Sequence, residues 1–219
     1  MRQAKVRAIL AVSLAVTGAT AGATAVAATA PEPAAGSAVW VEKDLSFTYM
    51  GFTSYYSCDG VRDKVRYVMQ QVGARPGFKV TVGGCVNMTG PEIMPRVRVR
   101  AALPRIATPE VLAELAHDRS RRELAAREQG GGASAAVDTT TAQFPAQWRT
   151  LQFRGTPSSD VQDGDCELLE QLVHEVLVPM GVREVAGSRL YCVPHQVPIN
   201  AVNLKLQVLE PRAAPPARP

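Results

Sequence analysis

Residues 57–69 (SCDGVRDKVRYVM) combine a cysteine with an apolar run at helical spacing, and residues 165–177 (DCELLEQLVHEVL) repeat this pattern. In both stretches apolar residues recur every three or four positions after the cysteine, which predicts an amphipathic helix. A further cysteine follows each stretch at nearly equal distance, Cys85 in the first and Cys192 in the second. The chain is therefore predicted to contain two copies of one unit.

The residues around each helix predict strands. In the first copy one or two strands are expected between Val39 and Tyr56, another near residues 78–82, and a third at residues 96–101, where valine and arginine alternate up to Pro104. In the second copy strands are expected at residues 148–153, 189–193 and 203–208. The predicted fold is α+β. It consists of two tandem β-α-β-β repeats in a pseudo-twofold arrangement, with one antiparallel sheet or two and one helix per repeat packed on a face.

These elements give the domain boundaries. Residues 1–27 are predicted to be a signal peptide, 28–37 a flexible lead-in, 38–105 the first repeat and 148–211 the second. Between the repeats, residues 106–147 start as a helix capped by Thr108, become almost wholly charged or alanine, and pass into a glycine-rich linker. Residues 212–219 contain three prolines and are predicted to be a disordered tail.

The N-terminus has the three parts of a Sec-type signal peptide. Arg2, Lys5 and Arg7 precede a short apolar run, and small residues ending in residues 25–27 (AVA) offer a cleavage site near Ala27. The apolar run spans about nine residues, fewer than the ~20 that cross a bilayer, so an uncleaved anchor is the weaker alternative. The mature chain is predicted to be periplasmic or secreted, with no transmembrane segment. Cleavage reduces the 24 basic residues to 21 against 20 acidic ones, which argues against nucleic-acid binding.

Export into an oxidising compartment predicts that the four cysteines form disulfides. Because each copy carries two cysteines at similar spacing, we expect one bridge inside each repeat, Cys58–Cys85 and Cys166–Cys192. Cys58 and Cys166 would begin helices, where a thiolate is stabilised, so a redox role is the alternative. No C-x-x-C pair and no zinc-type cysteine spacing is present in the sequence.

A row of basic residues is the most suggestive surface feature. Arg96, Arg98 and Arg100 alternate along one predicted strand and must share a face, and Lys79 is expected on the neighbouring strand of that face. Four cations on an open sheet face could bind an anionic envelope component or another protein. The alternative is a solvated strand that charge protects from edge-to-edge aggregation.

Candidate catalytic and metal-binding residues are few. Glu167, Glu170 and His174 fall at helical spacing and could hold a metal ion, although that helix face is expected to meet solvent. His195 lies in a predicted loop after Cys192. No local motif of a hydrolase, a P-loop or a dinucleotide site occurs.

The sequence therefore predicts an exported, non-catalytic binding or scaffolding protein of a bacterial-type cell envelope, with no cofactor and no metal. The alternative is a hydrolase or metal-dependent enzyme with a site between the repeats.

Overall fold

Three helices and seven strands form the fold in the computed structural model, which describes residues 36–85, 94–128, 142–157 and 159–212. In chain order they are β1 (Ser37–Thr48), α1 (Cys58–Gln71), β2 (Lys79–Gly83), β3 (Arg96–Ile106), α2 (Pro109–Glu128), β4 (Phe144–Arg154), α3 (Cys166–Leu172), β5 (Arg183–Glu184), β6 (Arg189–Leu190) and β7 (Val202–Pro211). A 3₁₀ turn, Asp163–Asp165, leads into α3, and a π-helical turn, Val173–Leu177, continues it.

All seven strands belong to one antiparallel sheet. The strand order is β2-β3-β1-β4-β7-β5, and β6 also pairs with β7. Two residue pairs join β1 to β4, Ser37 with Pro145 and Ala38 with Phe144. The α+β class and the antiparallel sheet are thus confirmed, and the sheet is continuous rather than divided in two.

The helix α1 forms where the periodicity predicts it. The Ser57 hydroxyl accepts a hydrogen bond from the Gly60 N–H at 3.1 Å, which satisfies one of the free donors at the helix start. Gly73 has a positive φ of 82° just after the helix, the conformation that lets glycine end a helix. The apolar side chains at helical spacing are buried: Val61, Val65, Val68, Met69 and Val72.

The strand β3 continues beyond the predicted end at Pro104 to Ile106. Pro104 lies opposite Trp40. Ser37 O accepts from Ala107 N and Tyr49 N donates to Pro95 O, so the backbone hydrogen bonds between β1 and β3 are made by the odd-numbered residues of both strands. The missing N–H of Pro104 therefore points away from β1, towards a side that β2 does not reach, since their pairing stops at Arg100. Proline is tolerated in a strand at such a position.

The second half departs from the predicted strands in two places. β4 begins at Phe144, four residues before the predicted Trp148, because its first residues gain partners from the distant β1. The strand predicted at residues 189–193 is limited to Arg189–Leu190, after which the chain turns through His195 at φ 61°. The two-residue β5 carries no periodic pattern and was not predicted.

The two faces of the sheet differ in what covers them. The helix face carries the odd-numbered residues of β1 and the main core, in which α1 and α3 pack on residues such as Val99 and Leu204. α2 lies on the same face, where Val111 packs with Val39 and Val41. The opposite face, called here the open face, carries the even-numbered residues of β1 and the first residues of β4. None of the described helices packs on it.

No helix in the described ranges is long and apolar enough to cross a membrane. The predicted signal peptide, most of the lead-in, the glycine-rich linker and all of the tail except Arg212 lie outside the described residues.

Candidate functional site

The predicted basic residues lie together on the open face. Lys79 is opposite Arg100, and Gly83 at the end of β2 is opposite Arg96. Arg98 lies between the two arginines on β3. The structure thus places all four cations on one surface, whereas their binding of an anion stays a prediction.

Two of the four cations have carboxylate partners on β1. Arg98 donates from Nε and Nη2 to the two oxygens of Asp44, both at 2.7 Å, and Arg100 Nε donates to Glu42 at 2.5 Å. The hydrogen bond and charge of Arg98 lower the pKa of the Asp44 carboxyl below its ordinary value. Both pairs are exposed to solvent. The two carboxylates offset about half of the positive charge of the basic stripe, the name used here for Lys79, Arg96, Arg98 and Arg100.

The sequence carries a signal for these carboxylates. Glu42 and Asp44 alternate along β1 with the same period of two that reveals the arginines of β3. Their alternation predicts one face of the strand, but only the register of β1 against β3 sets acids opposite bases.

A depression at the edge of the open face has a net positive lining. Its volume is about 350 Å³, and its charged residues are Arg75, Lys79, Arg100 and Glu42. Arg75 comes from the turn after α1, where its backbone N–H donates to Ala102 on β3. Three cations and one carboxylate therefore surround a space large enough for a small anionic group.

Two arginine–tryptophan contacts flank the centre of the sheet. The Arg75 guanidinium lies 5.8 Å from the Trp40 ring centroid, and that of Arg183 lies 4.4 Å from the Trp148 ring. Phe144 packs on Trp40 at a centroid distance of 5.4 Å. These contacts give the open face an apolar centre with a guanidinium over each tryptophan.

The predicted metal-binding helix face divides into buried and exposed residues. Glu170 and His174 are exposed, as expected for a solvated face. Glu167, by contrast, is only 7% exposed and accepts hydrogen bonds from Phe52 N at 2.8 Å and Thr53 N at 3.0 Å. The expectation that Glu167 faces solvent is wrong, because the loop after β1 folds over the start of α3.

A second buried carboxylate joins the two halves of the chain. Asp165 is 4% exposed and accepts from Lys64 Nζ at 2.8 Å, Tyr56 O–H at 2.5 Å and Gln162 N at 2.7 Å. Burial first, and then the charge of Asp165, raises the pKa of the Tyr56 hydroxyl. Tyr56 thus keeps its proton and donates to Asp165, and this enclosed cluster stabilises the contact between the two halves of the chain.

The remaining candidates for chemistry are dispersed. His195 lies in an exposed loop, and its ring contacts Phe52 at a centroid distance of 6.2 Å. Among the described residues, no group of three His, Cys, Asp or Glu side chains could hold a metal ion. The alternative of an enzyme site between the repeats stays a prediction.

The cysteines form the two predicted pairs, Cys58–Cys85 and Cys166–Cys192. Each bridge ties the first residue of a helix to a segment that follows a strand of the same half. Both helix-starting cysteines are buried. These bonds use the thiols that could otherwise have served as redox centres.

Comparisons with known proteins identify no relative. The chain matches no protein-family model, no curated protein and no solved structure at a significant level.

Proposed function

We propose that this chain is an exported, non-catalytic binding or scaffolding protein of the cell envelope, which holds an anionic group of a partner on its open face. The observation that carries the proposal is the depression lined by Arg75, Lys79 and Arg100. The disulfides and the predicted signal peptide support export, since such bonds persist in oxidising compartments.

The chemistry of the depression favours phosphate or carboxylate. Guanidinium groups bind planar or tetrahedral anions through paired N–H donors, and the ammonium group of lysine adds a point charge. The one acid in the lining, Glu42, is already hydrogen-bonded by Arg100. Lys79 in the lining has no ion-pair partner among the described residues, so an incoming anion would not have to displace a carboxylate from it.

We further infer that the two halves are copies of one β-α-β-β unit related by a pseudo-twofold axis at the β1–β4 seam. The strand order supports this, because β2-β3-β1 on one side of the seam mirrors β5-β7-β4 on the other. Both halves also have a disulfide from the start of the helix and an arginine over a tryptophan.

The copies differ in their cations. At the positions of Arg96, Arg98 and Arg100, β7 keeps only Lys205, while Arg183 and Arg189 lie opposite its Gln207 and Asn203 on the same face. The binding role is assigned to the first half because the depression lies there, and Lys205 offers a control outside it.

The proposal is tested by titrating the isotopically labelled mature chain, disulfides intact, with inorganic pyrophosphate and with a triglutamate peptide while amide NMR signals are followed. Signals of the depression should shift at low millimolar ligand. Lys79→Gln should weaken binding severalfold, because one charged contact is lost, whereas Lys205→Gln should leave it unchanged. Scattered shifts, or equal effects of the two substitutions, would refute anion binding in the depression.

A further inference from the structure

Exposed apolar side chains are concentrated in two loops of the chain. Nine large apolar side chains are exposed among the described residues, and six of them lie either between β1 and α1 or between β6 and β7. Ile199 is 88% exposed, which leaves almost its whole side chain in water. Such a concentration marks an interaction surface, whereas scattered apolar residues need no explanation. The six residues, called here the loop patch, are Met50, Phe52, Tyr55, Tyr191, Val197 and Ile199.

The two loops of the loop patch lie side by side. The Thr53 hydroxyl donates to the Val193 carbonyl at 3.1 Å, and the ring of Phe52 contacts that of His195. One loop belongs to the first half of the chain and the other to the second half. The loop patch is therefore one surface that both halves build.

The helix α3 fixes the first of these loops. Glu167 accepts from the N–H groups of Phe52 and Thr53. The Gln171 amide accepts from Met50 N at 3.0 Å and donates to the Met50 carbonyl at 2.8 Å. The backbone of this loop is thus held by side chains of α3, while its apolar side chains face solvent.

The turn before α3 fixes the second loop in the same way. Asp163 accepts from Asn200 N at 3.0 Å and from Val202 N at 3.1 Å. These bonds flank the loop position next to Ile199, the most exposed side chain of the loop patch. Because both loops are fixed in advance, little conformational entropy is lost when the loop patch meets a partner.

Three arginines stand at the strand ends that lead into the loop patch. Arg96 lies opposite Thr48, the last residue of β1, and both Arg154 and Arg189 lie opposite Asn203 near the start of β7. All three arginines are exposed, and none is ion-paired with a described carboxylate. They can approach a negatively charged surface that the loop patch contacts.

The carboxylates of the same region are mostly engaged within the protein. Asp59 is ion-paired with Arg62 at 2.7 Å, and Asp163 is bonded to the two backbone N–H groups described above. Asp160 and Glu170 are exposed and have no cation partner among the described residues. The three arginines therefore leave a small positive excess, and the apolar side chains are the larger part of any attraction.

We propose that the loop patch attaches the chain to the surface of a lipid bilayer. The apolar side chains of the loops enter the boundary between headgroups and acyl chains, and the three arginines contact lipid phosphates. Tyrosine is enriched at that depth of a bilayer, because its ring is apolar and its hydroxyl stays in water, and the loop patch carries two tyrosines. This inference goes beyond the proposed function, since the residues that line the anion-binding depression are different ones.

A second copy of this chain fits the loop patch less well. Two facing loop patches would bring Arg96, Arg154 and Arg189 of one copy towards those of the other, and like charges that face each other oppose association. A bilayer instead accepts separate protruding side chains without a matching pocket for each.

Flotation with lipid vesicles tests the proposal on the full mature chain with its disulfides intact. The vesicles contain equal parts of phosphatidylcholine and phosphatidylglycerol, or phosphatidylcholine alone. A few inserted side chains match the marginal hold of one myristoyl chain, so the protein should float with the anionic vesicles at about 1 mM lipid. It should float several-fold less with the neutral vesicles. No flotation with the anionic vesicles overturns the proposal, and equal flotation with both kinds contradicts the role of the arginines.

Paired substitutions locate the contact. Val197→Ser with Ile199→Ser removes two side chains of the loop patch and should weaken flotation at least tenfold. The matched control is Leu124→Ser with Val178→Ser, which removes two apolar side chains that are 58% and 47% exposed elsewhere in the fold, and it should leave flotation unchanged. Equal effects of the two pairs overturn the proposal, as does dimerisation without vesicles that the first pair abolishes.

A tryptophan in the loop patch reports whether it enters the bilayer. Vesicles with brominated acyl chains should quench the added fluorescence of Ile199→Trp, because bromine quenches only within the acyl region. Leu124→Trp provides the control and should show no added quenching. Quenching that is no greater at position 199 than at position 124 contradicts insertion.

A last variant separates this proposal from the anion site. Lys79→Gln should leave flotation unchanged, because Lys79 lines the depression and no residue of the loop patch does. Flotation without pyrophosphate binding would refute only the anion site, and pyrophosphate binding without flotation would refute only the contact with a bilayer.

Discussion

Replacing Glu167 by alanine should destabilise the fold much more than the same change at Glu170, three residues further along α3. The Glu167 carboxylate accepts from two backbone N–H groups of the loop after β1 and from the Thr53 hydroxyl at 3.2 Å. Glu170 is exposed. Both substitutions replace a glutamate of α3 by alanine, so their difference reports the buried contacts, together with the smaller effect of a charge in the first helical turn at Glu167.

The magnitude follows from those three hydrogen bonds. Bonds to a charged group contribute about 1.5–3 kcal/mol each, and a buried donor left without a partner costs about 1–3 kcal/mol. Two effects reduce this loss. Removing the carboxylate also removes the free-energy cost of burying its charge, since Glu167 is only 7% exposed, and water can reach the N–H of the half-exposed Phe52. We therefore expect Glu167→Ala to lower the free energy of unfolding by about 2–3 kcal/mol, and Glu170→Ala to have almost no effect.

Urea unfolding of the two variants, with disulfides intact, measures both values. Exchange of the Phe52 and Thr53 amides should also accelerate in the Glu167 variant alone. A loss below about 1 kcal/mol for Glu167→Ala, or equal losses for both variants, would refute the role of this carboxylate in holding the loop.

Three further predictions concern a disulfide, a buried tyrosine and an ion pair. Replacing both Cys58 and Cys85 by alanine opens a loop of 27 positions and should lower the free energy of unfolding by about 3–4 kcal/mol. Urea unfolding measures this loss, and a value below about 1 kcal/mol would contradict the prediction. Because the pKa of Tyr56 is raised above its ordinary value of 10.0, the unfolded chain releases this proton first, and stability should fall as pH rises above 10 by about 1.4 kcal/mol per pH unit. Tyr56→Phe should reduce the dependence of stability on pH between pH 10 and 11. Equal slopes for the variant and the parent chain would contradict the raised pKa of Tyr56. Arg98→Ala should leave stability almost unchanged but raise the NMR titration midpoint of Asp44 towards its ordinary value, since the arginine lowers it; an unchanged midpoint excludes the pair.

Local patterns predicted the elements whose signal lies within a few residues. The periodicity and caps of α1, the alternation at Arg96 and the matched cysteine spacing all report short-range constraints, and the structure has each of them. The predicted end of β3 at Pro104 was wrong, because a strand tolerates proline where its missing N–H has no partner strand. That depends on where the pairing with β2 stops, which the sequence around Pro104 does not contain.

The arrangement of the proposed binding surface depends on long-range register. The four cations could be assigned to one face from the sequence, but the pairing of Asp44 with Arg98 follows from how β1 lies against β3. Glu167 appeared to be a solvated residue because the covering loop lies over 110 positions earlier in the chain.

Site-specific photo-crosslinking tests the binding function most directly. A benzophenone amino acid would replace Pro76 or Ala102, which line the depression without supplying a cation, and Glu170 on α3 as the control, in the cells that produce the protein. The account predicts a defined adduct from the two positions of the depression and none from Glu170. Adducts from Glu170 alone, or from none of the three positions, would contradict a partner held on the open face.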